Sequence, residues 1–365
     1  MQSRSAFWCS LALGFLILGP SLAPIARAQV TSAAIVQEVT PNPRAQAMGN
    51  AFTAVGQDPW AAWWNPGALA SMRDLSVGLY STSDYYTFGF GKWTVHSAAI
   101  AGARNGLGYG AHFSRFTFGE TSEFGDAGEL GATYKPSQIA MHLAGAVELM
   151  QLVRGRPGPF SFGVGLGVKG IHAFEGYSGT ARNKKKITAN GYDADLGALL
   201  TAKVPLRRQG RPIGSATVSI GTTERNVFDR DLSFGKHGRD YPLVRLNRRG
   251  AAIHVEVGNH PALGPLGELT LAMDRTAGPH NVLEREIRNR GLELGLAHML
   301  YLRWGRIEDR AYGTVSNTRG WGFGPDVILN RRLQSLRIRI DYARTPRPSG
   351  LKPLEQYALS VGLGV

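Results

Sequence analysis

The chain has 365 residues, with 41 Lys and Arg against 27 Asp and Glu, 47 glycines and a single cysteine. One cysteine cannot form an internal disulfide or a multi-thiolate metal site. The formal charge of +14 does not argue for nucleic acid, because the basic residues are scattered through turns and alternate positions, with no recognition helix and no aromatic RNA-binding signature.

Residues 1–28 read as a secretory leader: Arg4 supplies the basic start, Ala6 to Leu18 the apolar stretch, and Ala26-Arg27-Ala28 the cleavage site before Gln29. Cys9 would leave with it, and the mature chain would carry about +12. No later apolar run reaches the roughly 18 residues that a membrane-spanning helix needs.

Residues 29–72 read as a compact plug. Ala45, Ala47, Gly49, Ala51, Ala54 and Gly56 allow close backbone packing, and Asn65-Pro66-Gly67 forces a turn. Arg44 and Asp58 are the charged residues of its motif, and inside a barrel each needs an opposite charge. The expected partners are Asp193, Asp195, Glu256, Asp274, Glu293 or Asp341 for Arg44, and Lys169, Arg303, Arg337 or Arg339 for Asp58. Phe52, Trp60, Trp63 and Trp64 form an aromatic set that either packs the plug or touches an apolar ligand.

From residue 73 to 365 a period of two recurs. Phe160, Phe162, Val164, Leu166 and Val168 oppose Ser161, Gly163, Gly165, Gly167 and Lys169, and Leu336, Ile338, Ile340 and Tyr342 oppose Arg337, Arg339 and Asp341. A soluble sandwich also alternates. Here the second face is rich in Gly, Ala and Ser, as a narrow lumen around a plug requires. Fourteen such stretches, from 75–82, 85–103, 107–118 and 138–151 to 335–344 and 355–365, predict an all-β fold: a 14-stranded antiparallel transmembrane β-barrel with a short N-terminal helical plug. With both termini periplasmic, the inner turns hold Arg104, Arg154, Arg156, Arg207, Arg208, Arg211, Arg331 and Arg332 and no carboxylate, which suits an anionic lipid surface or an acidic partner.

No catalytic constellation emerges. Gly176-Tyr177-Ser178-Gly179 lacks the spacing of a nucleophile elbow, His254 and Glu256 read as lumen-lining neighbours, and no metal or phosphate motif is present. The expectation is a non-enzyme without cofactor or metal.

The string from Arg44 to Asp58, followed by Trp64-Asn65-Pro66-Gly67, resembles the hatch motif of FadL-like outer-membrane transporters, and especially their shorter PorV/PorQ-like branch. Gly165 to Lys169, Asp195 to Gly197, Leu302 to Gly305 and Arg339 to Tyr342 follow in the expected order. The chain departs at Gly67, where Ala is usual, and at Asn50, where a second glycine is common. The resemblance implies a multi-pass barrel in the outer membrane of a diderm bacterium, surrounded by its lipid. Its function would be a transport or protein-secretion-associated role with secretion-system or exported proteins as partners. The alternative is uptake of small hydrophobic molecules, fatty acids or hydrocarbons, past the hatch.

Overall fold

The structure, a computed structural model, describes residues 34–85, 93–124, 130–178, 185–234, 240–260, 264–278, 286–310, 313–327, 335–346 and 352–364. The expected leader and Arg331 and Arg332 lie outside these residues.

Fourteen long strands among the described residues make one antiparallel sheet. The first seven are β1 (Asp74–Tyr85), β2 (Trp93–Arg104), β3 (Leu107–Thr117), β4 (Ser137–Glu148), β5 (Phe160–Ser178), β6 (Lys185–Arg208) and β7 (Arg211–Arg225). They are followed by β8 (Leu246–His260), β9 (Gly264–Ala277), β10 (Glu286–Leu296), β11 (Leu300–Asp309), β12 (Thr314–Phe323), β13 (Ser335–Thr345) and β14 (Leu354–Gly364). Each pairs with its sequence neighbour, and β1 also pairs with β14, with Leu79 opposite Leu359. The sheet therefore closes on itself and has no free edge.

The alternation in sequence becomes inside against outside. On β5, Val164, Leu166 and Val168 are exposed on the outer wall, while Gly163, Gly165, Gly167 and Lys169 are buried inside. Exposed Leu79, Met141, Leu143, Leu271, Leu294, Trp304, Trp321 and Leu359 continue the apolar exterior around the barrel. A soluble protein does not present such a belt to water; this is the wall of an outer-membrane β-barrel. No helix among the described residues is long and apolar enough to cross a membrane.

The two ends differ. At one, Asn105-Gly106 and Gln209-Gly210 close two-residue hairpins with φ of 53°, 80°, 49° and 78°. There too α4 (Leu149–Arg154) joins β4 to β5. The stretch 138–151 expected as one strand instead ends at Glu148, whose carboxylate caps α4 and also accepts from Phe162 N at 2.7 Å. Likewise 85–103 divides into the end of β1 and β2, which starts at Trp93. The opposite end carries the longer connections, including short ladders at 121–134 and 231–242. Longer loops mark the external side in this class.

Residues 34–72 fill the lumen as α1 (Ile35–Glu38), α2 (Pro43–Ala47), α3 (Ala61–Trp64) and a 3-10 turn, Pro66–Ser71. The segment begins near the loop end, where Val36 N donates to Gln138 Oε1 of β4 at 3.1 Å. It descends to the turn end and runs into β1. Glycines make the fit possible where backbone meets backbone: a Cβ on Gly49 would lie 2.6 Å from Arg306 N, and one on Gly67 2.7 Å from Ala198 Cα.

Candidate functional site

The plug meets the wall through a layer of buried charge. Asn42 caps α2, its side-chain oxygen accepting from Arg44 N at 2.8 Å, and this start aims Arg44 at the wall. Arg44 Nε and Nη2 donate to the two Glu293 oxygens at 2.9 and 2.7 Å, the bidentate geometry that suits a guanidinium. Glu293 also accepts from Arg303 at 2.5 Å, and Arg303 reaches Asp341 at 2.7 Å. Arg339 donates to Asp341 at 2.8 Å and lies 3.6 Å from Asp58, which is also 3.6 Å from Arg44.

Three arginines and three carboxylates thus form one buried network across α2, the Asp58 turn, β10, β11 and β13. Burial works against the Arg44 cation, but Glu293 and Asp58 outweigh it and raise its pKa. For Asp58 burial dominates and raises the pKa, with Arg44 and Arg339 offsetting only part.

Of the partners expected from sequence, Glu293 serves Arg44, Arg339 serves Asp58, and Arg303 and Asp341 join the same network behind them. Several of the others have separate duties. Asp274 accepts from Phe52 N and Thr53 N, both at 2.8 Å, and so holds the plug's central turn. Asp195 pairs with Lys169 and accepts from Asn226 N. Asp193 receives Phe228 N at 3.0 Å and thereby anchors the loop after β7. His254 and Glu256 are neighbours at 3.2 Å near the turn end, with Ser215 donating to Glu256 at 3.1 Å. The imidazole does not lie between serine and carboxylate, so a catalytic relay is not formed.

Asn65 holds the lower turn. Its amide accepts from Gly67 N at 3.0 Å and donates to Thr53 O and Ala198 O at 2.9 and 3.0 Å, tying two plug segments to β6. Pro66 starts the 3-10 turn with a φ already suited to it. Gly67 presses on β6 so closely that the alanine usual at this place in the FadL-like pattern would collide. Asn50 takes φ 62°, a left-handed conformation that Asn tolerates better than most residues, beside Gly49 at 64°.

The aromatic set divides. Phe52, Trp63 and Trp64 cluster, with Trp63 edge-on to Trp64 at 4.7 Å and Phe52 at 5.6 Å from Trp64. Trp60 belongs to the same buried cluster but points elsewhere: its Nε1 donates to Ser97 Oγ at 3.1 Å and its ring fills the space opposite Gly78. Sequence adjacency suggested one cluster of four, but α3 turns Trp60 toward β1 and β2.

Two arginines that sequence reasoning missed flank the cluster. The guanidinium carbons of Arg225 and Arg248 each lie 4.7 Å from the Trp63 ring centroid. Neither pairs with a carboxylate among the described residues; Arg225 donates to Gln37 O at 3.2 Å. Buried Arg225 Nε, Arg248 Nη1, Trp64 Nε1 and Gln37 Nε2 have no acceptor among the described residues. Arg225 and Arg248 sit on strand ends among many scattered arginines, so only the register, with Arg248 opposite Thr223, could have placed them together.

Beside these polar groups an apolar cluster runs through the lumen. Phe52, Trp60, Trp63 and Trp64 belong to one continuous buried cluster with Val36 and Val39 of the plug, Trp93, Val95 and Phe116 of the wall, and Leu232, Phe234 and Leu243 of the loop after β7.

No family model matches the chain, and no curated protein matches it in sequence. Solved structures similar to it include the Ralstonia pickettii toluene transporter TbuX, at 12% identity and TM-score 0.47, covering 88% of this chain and 97% of that one. The Pseudomonas putida toluene transporter TodX matches at 12% identity and TM-score 0.44, over 87% and 96%. A Pseudomonas aeruginosa FadL homologue matches at 11% identity and TM-score 0.43, over 89% and 97%. At these identities and TM-scores the likeness says nothing about ligand or site.

Proposed function

We propose that this protein is a FadL-like channel that takes small hydrophobic molecules across the outer membrane, with residues 34–72 as its hatch. The observation that carries the reading is the buried apolar cluster that runs unbroken from the external loop residues Leu232, Phe234 and Leu243 to Phe52, Trp63 and Trp64 on the plug. Such a column offers an apolar solute about 25 cal/mol for each Å² it removes from water. On the β10, β11 and β13 side the plug instead meets the layer of Arg44, Asp58, Glu293, Arg303, Arg339 and Asp341, which holds the hatch by side-chain contacts. The plug motif of the sequence supports the same reading.

Arg44, Gly49, Asp58, Asn65, Pro66 and Gly67 act in this scheme as latch and fit, and Phe52, Trp63 and Trp64 as the ligand's landing surface, with Trp60 as packing. The test is uptake of a labelled C8 fatty acid and a labelled alkylbenzene by proteoliposomes. Uptake above that of empty liposomes, lowered by Trp63→Ala, is expected. A secretion-associated barrel would instead co-purify with exported polypeptides and leave both probes outside, which would overturn the uptake reading.

A further inference from the structure

The outer wall of β8 to β13 carries arginines in an arrangement that its own chain does not neutralise. In the antiparallel register Arg249 stands directly opposite Arg275, Arg275 opposite Arg288, Arg290 opposite Arg306, and Arg319 opposite Arg344. All seven share the outward parity of the apolar belt: on β11 Leu302, Trp304 and Arg306 are exposed in succession, and on β9 Leu271, Met273 and Arg275. Arg275, Arg290, Arg306 and Arg344 each lie one outward step further toward the loop end than the last large apolar residue of their strand, Arg249 and Arg288 lie two steps further, and Arg319 follows Trp321 by one step. They therefore form an arc at the height where hydrocarbon gives way to head groups.

Like charges directly opposite on a ladder are destabilising, with the strands only about 4.8 Å apart. Three carboxylates on or beside this arc offset part of the charge, Glu355 standing opposite Arg344 in the β13–β14 register. Glu286 is shared by Arg288 at 2.6 Å, Arg275 at 3.3 Å and Arg310 at 3.8 Å, and Glu308 takes Arg306 at 2.7 Å. Arg290 makes no ion pair among the described residues. Beneath Arg290 and Arg306 the wall is hollowed into a groove of about 550 Å³, lined by Ile253, Leu271, Met273, Leu292 and Trp304. Small Ala251 leaves its upper part open.

We propose that this arc and groove form a binding site for an acyl lipid of the external leaflet bearing at least two phosphate groups. An acyl chain lies along the groove, and the phosphates sit between the opposed guanidiniums. The groove is continuous with the lipid belt, which assigns the occupant to the bilayer. The charge assigns its head group, because guanidinium forks bind phosphate oxygens in bidentate fashion. Arginine pairs on successive strands span about 10 Å along the wall, more than one phosphate can bridge. The site is separate from the lumen and does not depend on what the channel carries.

The test is native mass spectrometry of the full-length barrel in neutral detergent, after delipidation and addition of one of three probes: a diphosphorylated lipid A, phosphatidylglycerol or phosphatidylcholine. The diphosphorylated probe is expected to stay bound at collision energies that strip the other two. In Arg290→Gln/Arg306→Gln its retention should fall about tenfold, as expected for loss of charge-assisted bonds worth ~1.4 kcal/mol together. Arg154→Gln/Arg156→Gln, at the opposite end, should retain it as the wild type does. Equal retention of phosphatidylglycerol, unchanged retention in the first variant, or equal loss in the second would each overturn the proposal. If the first variant does not fold, by heat-dependent gel mobility, the three-probe comparison on the wild type decides.

Discussion

Arg44 of the plug grips Glu293 of β10 through two parallel hydrogen bonds, 2.9 and 2.7 Å long, and this one pair joins the N-terminal segment to a strand 249 residues away. Glu293 holds Arg303 as well. Its replacement by Gln leaves two buried guanidiniums short of charge, at a cost of about 3–5 kcal/mol. Glu293→Gln should lower the denaturant midpoint and, if the hatch loosens before the barrel opens, raise ion leak in planar bilayers.

Asp58 faces Arg44 and Arg339, with Glu293 and Asp341 behind them, and burial raises its pKa above the ordinary 3.8. The folded state therefore takes up this proton more readily than the unfolded state, so Asp58's effect favours folding at low pH and is lost as pH rises through the folded pKa. Against Asp58→Asn, the wild type should gain stability as pH falls toward 3.8, in paired thermal-unfolding scans. A difference that stays constant with pH would show that Asp58 does not titrate in this window.

Gly67 touches the β6 backbone, so Gly67→Ala requires the 3-10 turn or β6 to shift. A loss of about 1–3 kcal/mol is expected, the range for overpacking. Limited proteolysis should cut residues 34–72 faster in this variant while the barrel itself stays resistant.

Trp60 and Trp64 should respond differently to loss of the indole N–H. Trp60→Phe removes a hydrogen bond to Ser97 and should cost about 1 kcal/mol or more. Trp64→Phe removes an N–H that has no acceptor among the described residues and should cost less in polar terms. Reversal of this order in urea titrations would mean that ring volume, not the hydrogen bond, governs both sites.

The strands were legible because a barrel wall has two solvents and a period of two cannot hide them: Val164, Leu166 and Val168 face lipid, and Gly163, Gly165 and Gly167 face the plug. Strand ends were less legible. Glu148 continues the alternation of β4, yet its carboxylate serves better as a helix cap, which no period records. The aromatic run of the plug was visible, but its division was not, because a single turn of α3 sends Trp60 and Trp63 to different walls.

By itself the sequence determined the class of wall, the strand number and the need of Arg44 and Asp58 for buried partners, since alternation and the cost of an unpaired ion are local facts of composition. Only the tertiary structure decided which charges meet. Glu293 is chosen over Asp274 because register and the Asn42 cap bring it within reach, and the register of β10 on β11 sets Arg290 against Arg306. Pairings of this kind depend on strand register and on where the plug sits within the barrel, which no one segment records.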